Sequence, residues 1–427
     1  MKILVIGGGG REHAIIRKLK ESPKAPEIFA APGNGGIAYD AVCVPIAATD
    51  VEALAQWAAE EHMDYVVVAP DDPLAMGLVD LLAEKGIPAF GPSKAAAQIE
   101  ASKAFAKDLM KKYHIPTADY AVFTELSAAE AHLRQNKTWP VVIKASGLAL
   151  GKGVLICATL PEALAAVRSM MEGGRFGASG STVVIEEFLI GPEVSVLAFT
   201  DGKTLVPMVS SMDHKRALDG DLGLNTGGMG TIAPNPCYTD DVAARCMEEI
   251  FLPTVRAMNA EGRPFKGCLY FGLMLPPQGP KVIEYNCRFG DPETQVVLPL
   301  LETDLLTIME ATTNGTLDKV DVRFSDRSAA CVVLASGGYP EKYQKGLPIE
   351  GLVEGQLPGS QATVYHAGTS RKEDALVTSG GRVLGVTALG DTLKEAVDAA
   401  YKAAEGIQFE GMHKRNDIGA RALAAVL

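Results

Sequence analysis

The 427-residue chain is 47% apolar and 22% charged, with a formal net charge of −12 and seven scattered cysteines. That length carries a prior of about three domains. The charge balance, with no basic face or tail, excludes nucleic acid and anionic membranes as expected partners. No apolar run approaches the ~18 residues of a membrane span, the cysteine spacing forms neither a metal knuckle nor a redox pair, and Met1 leads directly into a strand, so cytoplasm is the expected compartment.

Residues 2–6 read as a buried strand, followed by Gly7-Gly8-Gly9-Gly10-Arg11-Glu12-His13 and a helix to Lys20. A strand, a glycine turn and a helix N-terminus leave backbone N–H groups for an anion. The dinucleotide fingerprint fails: counted from Gly7 its third glycine position is Glu12, from Gly8 it is His13, and no acidic residue ends the second strand, 28–30. Two readings stand: a grip on one phosphate, with Arg11 helping, or a tight strand–helix turn. Strands at 27–30, 65–69 and 87–90, with a helix from about 73 to 84, argue a parallel α/β sheet whose ligands sit at the carboxyl ends of the strands. Residues 94–113 read as one helix with Lys103 near its middle.

Residues 121–190 read as a small α+β module. Lys144 ends the apolar strand 141–144, where a lysine calls for an anionic partner. The glycine loop 145–153 departs from a P-loop: three residues separate Gly147 from Gly151, no Ser or Thr follows Lys152, and a strand comes next. It reads instead as a lysine-bearing lid over a polyphosphate. The apolar strand 182–185 runs into Glu186-Glu187-Phe188, where backbone groups could meet an adenine edge and a nearby carboxylate could meet ribose hydroxyls.

Segment 210–230 is polar, glycine-rich and too long for a simple turn, which points to function. Asp213 is followed by His214, Lys215 and Arg216, and Asn225-Thr226-Gly227-Gly228 lets backbone N–H groups approach a ligand. His214 reads as a hydrogen-bonded structural residue rather than a base. Helices at 240–258 and 296–314 flank the strand 268–275 and the stretch KVIEYNCRFGDPET at 281–294. The period of two puts Val282, Glu284 and Asn286 on one face of that second strand. A carboxylate and an amide oxygen facing the same way suit a hard cation that arrives with phosphates; a hairpin with a solvated polar face is the alternative. Arg288 and the acidic turn Gly290-Asp291-Pro292-Glu293 follow. From about 326, strands at 329–335, 362–367 and 382–388 and a helix at 392–406 read as a separate α+β domain with no catalytic cluster of its own, one that covers the site or shapes it.

These parts together are the equipment of an ATP-dependent ligase, which phosphorylates a carboxylate so that it can acylate an amine. The motifs VIGGGGREHA at 5–14, APGNGG at 31–36, SKAFAK at 102–107, IKASGLALGKGV at 143–154, DHKRALDGD at 213–221, NTGGMG at 225–230, IEYNCRFGDPETQ at 283–295 and RNDIG at 415–419 resemble the phosphoribosylamine–glycine ligase family of the ATP-grasp superfamily. The resemblance runs over essentially the whole chain. It implies an α/β and α+β multidomain protein: an N-terminal parallel-sheet domain at 1–102, an ATP-grasp domain at 103–325 with its lid at about 121–190, and a C-terminal α+β domain at 326–427. It implies that ATP, glycine and 5-phospho-β-D-ribosylamine give glycinamide ribonucleotide, ADP and phosphate through a glycyl phosphate, with Mg²⁺ or Mn²⁺, in purine biosynthesis. A monomer is expected, because no long exposed apolar stripe is evident.

By matching motifs, the resemblance assigns Lys103, Lys144 and Lys152 to the ATP phosphates. It assigns Glu186, Glu187 and the backbone at Phe188 to adenine, Glu193 to ribose, and Glu284 and Asn286 to the metal. Arg288 would stabilise the acyl-phosphate transition state, with Asp213 and Lys215 also catalytic. Asn225, Thr226, Asp291 and Glu293 join these on the glycine and ribosylamine side, while Gly10, Arg11 and Asn34 would hold the sugar phosphate. Ser146, Leu150, Met212, Leu224 and Asp71 depart from the family pattern, and Gly272-Leu273-Met274 offers no second carboxylate for a metal. The rival expectations are another ATP-grasp ligase such as a carboxylase, a nicotinamide oxidoreductase, and a silent ATP-binding regulator.

Overall fold

The apolar run at 3–6 is fully buried at the centre of a five-stranded sheet, as an all-apolar parallel strand must be. The order is Val42–Cys43, Glu27–Pro32, Lys2–Gly7, Tyr65–Val68, Ala89–Phe90, and every pairing is parallel. The computed structural model describes residues 1–148, 153–172, 177–373 and 375–426.

Three helices expected to be continuous are divided, each by a residue with a local reason. Gly77, at φ +97°, separates Asp71–Met76 from Leu78–Glu84. Ser102 is extended (φ −136°, ψ 103°) and its hydroxyl accepts the Phe105 N–H, ending Lys94–Ala101 and capping Lys103–Lys112. Lys103 is therefore the first residue of a helix, not the middle of one. Asp304 caps Leu305–Asn314 and separates it from Thr294–Leu300.

Two four-stranded sheets follow. One, the lid sheet, runs Tyr120–Phe123, Val183–Glu187, Val141–Ala145, Val154–Cys157; the other runs Leu205–Pro207, Glu193–Thr200, Gly267–Met274, Lys281–Asn286. The helical segments Asp240–Cys246, Met247–Phe251 and Leu252–Ala260 pack on the second sheet, with the Phe251 and Phe271 rings 4.3 Å apart.

The third unit is centred on Ser328–Ala335, buried along its whole length. Its sheet runs Met212–Asp213, Gly230–Ala233, Ser328–Ala335, Arg382–Gly390, Thr363–His366, so both ends of the 213–230 segment enter the C-terminal sheet. His214 shows why. Its Nδ1 faces the Gly230 carbonyl at 3.1 Å and its Nε2 accepts the Gly419 N–H at 3.1 Å, so the ring is a neutral strut. Burial lowers its pKa to about 4.

Candidate active site

A cavity of about 970 Å³ lies where the three units meet. Of the residues singled out in the sequence, its walls contain Arg11, Lys103, Lys144, Glu186, Glu187, Phe188, Glu193, Asp213, Lys215, Asn225, Thr226, Glu284, Asn286, Arg288, Asp291 and Glu293.

On the lid side, Ser146 Oγ accepts the Ala104 N–H at 3.1 Å, and its carbonyl accepts the Lys103 N–H at 2.8 Å. The departure at Ser146 thus holds the helix start that carries Lys103. Burial lowers the Lys103 pKa, while Glu284 opposes that shift. Lys144 Nζ donates to the Ile283 carbonyl at 3.0 Å and pairs with Glu186 Oε1 at 3.1 Å; Lys107 Nζ sits 2.9 Å from the other Glu186 oxygen. The Glu186 carboxylate, 3% exposed, faces these two ammonium groups. Its Oε1 has no hydrogen-bond partner, and the residue lines the cavity beside the half-exposed Phe188. Burial brings Lys107 down to about 8 against the pull of Glu186.

On the floor, the expected shared face of Val282, Glu284 and Asn286 is corrected by a β-bulge. Gly272 pairs with Glu284 but Leu273 pairs with Val282, so Ile283 is the extra residue. Val282 and Cys287 enter the core, whereas Ile283, Glu284 and Asn286 line the cavity; Tyr285 is buried in the core and borders the cavity. The Ile283 carbonyl is the one that receives Lys144. Burial alone would raise the Glu284 carboxyl, but Lys215, Lys144, Lys103 and Arg288 outweigh it and hold it below its ordinary value. Among the described residues no group of three His, Cys, Asp or Glu side chains is placed to hold a metal. The Glu284 carboxylate and Asn286 amide oxygen nonetheless fit Mg²⁺, which takes few protein oxygens and completes its shell with phosphate and water.

Arg288 lies beside this pair. Its Nη2 donates to Asn286 Oδ1 at 3.0 Å and meets Glu100 Oε1 at 2.9 Å, and its Nη1 donates to the Phe289 carbonyl at 3.3 Å. Its Nε is buried without a hydrogen-bond partner. Burial would raise the Asp71 carboxyl, but Arg288 and Arg11 hold it down.

The third wall carries the 213–230 loop and the acidic turn. Lys215 Nζ lies 3.2 Å from Glu193 and 4.0 Å from Glu284; Glu193 above all keeps it charged. Glu293 Oε1 accepts the Tyr270 hydroxyl at 3.1 Å. Burial first, then the charge of Glu293, raises the Asp213 carboxyl well above its ordinary value. The C-terminal domain shapes this wall with side chains not singled out in the sequence. Arg382 Nη1 donates to the carbonyls of Gly227 at 2.8 Å and Asp291 at 2.9 Å, and Tyr339 Oη accepts the Gly227 N–H at 3.1 Å. A Cβ at Gly227 would lie 2.9 Å from Arg382 Cζ, so a larger residue there would displace the guanidinium.

Two expected sugar-phosphate residues, Gly10 and Asn34, do not border the cavity, and Lys152 lies outside the described residues, as does Leu150. The glycines of the first loop serve close packing. A Cβ at Gly8 would lie 2.2 Å from the Gly33 carbonyl oxygen, and one at Gly10 2.5 Å from Gln295 Nε2. The Gly9 N–H is taken by Glu12 at 2.6 Å. Asn34 Nδ2 donates to the carbonyls of Gly8 (2.9 Å) and His366 (2.8 Å), while Oδ1 accepts the Gly36 and Ile37 N–H groups. It joins the first domain to the last. Asn34→Ala is expected to lower stability by about 2–4 kcal/mol while leaving the ATP KM within about twofold. Urea unfolding and steady-state kinetics check this; unchanged stability with a raised ribosylamine KM would return Asn34 to substrate binding.

The phosphoribosylglycinamide synthetase N domain matches residues 1–100, its ATP-grasp (A) domain 101–294 and its C domain 329–421. The phosphoribosylamine–glycine ligases of Vibrio vulnificus and Allochromatium vinosum are 48% and 50% identical, each over 427 residues and 99% of both chains. The solved phosphoribosylamine–glycine ligase of Thermotoga maritima, 34% identical, covers 98% of this chain and 100% of its own with a TM-score of 0.86. The biotin carboxylase of Campylobacter jejuni, 14% identical with a TM-score of 0.76, covers 97% of this chain and 92% of its own and shares the fold alone. By sequence over its full length and by fold, the chain belongs to the phosphoribosylglycinamide synthetase family.

Proposed function

We propose that the cavity joins glycine to 5-phospho-β-D-ribosylamine with ATP as the energy source, giving glycinamide ribonucleotide, ADP and phosphate. The enzyme is an ATP-dependent ligase of purine biosynthesis, as its full-length relatives are. The observation that carries the assignment of roles is the convergence of three unlike walls on one cavity. These are the lysines Lys103 and Lys144, the floor of Glu284, Asn286 and Arg288, and the loop and acidic turn bearing Asp213, Lys215, Asp291 and Glu293.

Lys103 and Lys144 neutralise the triphosphate, and the backbone at 186–188 receives the base. The Glu284 and Asn286 oxygens would hold a divalent cation, Mg²⁺ or Mn²⁺, which would supply neutralisation of the phosphate charge. A glycine carboxylate oxygen attacks the γ-phosphorus, the bond to ADP breaks, and Arg288 stabilises the charge spread over the transferring group. The ribosylamine nitrogen then attacks the glycyl carbonyl, phosphate leaves, and Asp213 takes the nitrogen's proton. Asn225, Thr226, Asp291 and Glu293 orient the two small substrates, and Arg11 is the one residue of the first loop that reaches the cavity to meet the sugar phosphate. The same reading takes 1–102, 103–325 and 326–427 as the domains and the enzyme as a cytoplasmic monomer. No helix among the described residues is long and apolar enough to cross a membrane.

The test is ADP release with Mg²⁺-ATP, glycine and phosphoribosylamine made in place from ribose 5-phosphate and ammonia, each component omitted in turn. Release is expected only with the complete set, with glycinamide ribonucleotide found by mass. Release indifferent to glycine would reject the substrate assignment.

A further inference from the structure

The carboxylate beneath Arg288 comes from the other side of a domain junction. Glu100 is the penultimate residue of helix Lys94–Ala101, in the N-terminal unit. A glutamate near the end of a helix ordinarily faces water, yet this one is 7% exposed. Both of its oxygens are used on the segment that directly follows the oxygen pair. Oε1 meets Arg288 Nη2 at 2.9 Å, and Oε2 accepts the Cys287 N–H at 2.7 Å. One carboxylate thus fixes the backbone at 287 and the guanidinium at 288. That guanidinium in turn donates to Asn286 Oδ1 at 3.0 Å, leaving the second lone pair of the amide oxygen for a cation.

We infer that Glu100 is a positioning residue for the phosphoryl-transfer step. It orients Arg288 and, through it, Asn286, without touching ATP or glycine itself. The inference rests on the roles proposed above for those two residues. The physical need is specific. An arginine anchored only at Phe289 and Asn286 could swing about its long side chain, and transition-state stabilisation depends on donors held in place before charge develops. The Glu100 contact consumes Nη2 and leaves the buried Nε without a partner, the arrangement expected of a donor reserved for an oxygen that arrives later. The contribution also crosses from one domain to another, so the packing of the N-terminal unit against the strand Lys281–Asn286 and the orientation of the arginine depend on the same contact.

The test compares wild type, Glu100→Gln and Glu100→Asp in the complete enzyme with all three substrates. Glutamine keeps an acceptor for the Cys287 N–H but removes the charge that holds the guanidinium. Its kcat is expected to fall at least about tenfold and its half-activating Mg²⁺ concentration to rise at least about threefold, with the ATP KM within about twofold. Aspartate keeps the charge but not the reach and should fall between glutamine and wild type. A purely structural role would instead lower thermal stability and raise every KM together, and that result overturns the inference, as does a glutamine variant with wild-type kcat and Mg²⁺ dependence. If the glutamine variant does not fold, the aspartate variant decides alone: reduced kcat at an unchanged ATP KM supports positioning, and wild-type kinetics reject it. Failure of wild type itself to release ADP in a glycine-dependent way would reject the functional reading rather than this one.

Discussion

Replacing Arg288 by alanine is expected to lower kcat at least about 10³-fold while leaving ATP affinity within a few-fold. In the proposed reading Lys103 and Lys144 hold the nucleotide from the opposite wall, through side chains whose contacts do not include the guanidinium. What is lost is a charge aimed at the group in transit, which matters only once that group begins to move. The alanine variant also strands Glu100, a buried carboxylate deprived of its partner, at a cost of about 3–5 kcal/mol. A second variant therefore separates chemistry from folding. Arg288→Lys keeps the charge opposite Glu100 but cannot serve Glu100, Asn286 and the arriving oxygen at once, because its single ammonium lacks the planar fork. It should fold and bind ADP normally, yet remain impaired by about two orders of magnitude or more. Calorimetric ADP binding and single-turnover ADP formation make the measurement. A folded alanine variant that no longer binds nucleotide would move Arg288 from the transferring group to the ground-state triphosphate.

The parts of the site legible in the sequence were those whose chemistry is written locally. Lys144 was conspicuous because a lysine at the end of an apolar strand needs a counter-charge, and the structure supplies one in Glu186. Glu284 and Asn286 followed from strand alternation. Val282 did not, because the bulge at Ile283 is set by the register of the neighbouring strand, which periodicity within one strand cannot reveal. The place of Lys103 on its helix differs from the sequence reading because Ser102 caps the helix instead of lying inside it, and serine is a preferred cap. Glu100, Arg382 and Tyr339 were missed for a different reason. Their partners at the site are mostly backbone carbonyls and N–H groups far away in sequence, and such groups leave no pattern of residue types. Composition could not choose between the two readings of the glycine loop at 7–10, because what fills the space its glycines leave, Gly33, Glu12 and Gln295, is partly set by distant chain.

Removing the carboxylate of Glu284 should have the second large effect, with a sign that separates metal binding from general electrostatics. Glu284 is the anion on which Lys215, Lys144, Lys103 and Arg288 converge, and they keep its carboxyl below the ordinary range despite burial. In Glu284→Ala those cations lose a shared counter-charge. Metal-free ATP, a polyanion, should then bind as well as or better than to wild type. Mg²⁺-dependent activity should move the other way. Asn286 would be the one protein oxygen left of the pair, and the half-activating Mg²⁺ concentration should rise at least about tenfold, with kcat at saturating Mg²⁺ reduced about 10²-fold. Glu284→Gln distinguishes the two contributions further, since it restores an oxygen ligand but not the charge. It should recover part of the Mg²⁺ affinity that alanine loses while still binding free ATP tightly. Titrating nucleotide with and without Mg²⁺, then activity against Mg²⁺, gives all four quantities. If both variants bind free ATP more weakly and keep the wild-type Mg²⁺ requirement, Glu284 serves the lysines rather than the cation, and the oxygen pair on the bulged strand is not a metal site.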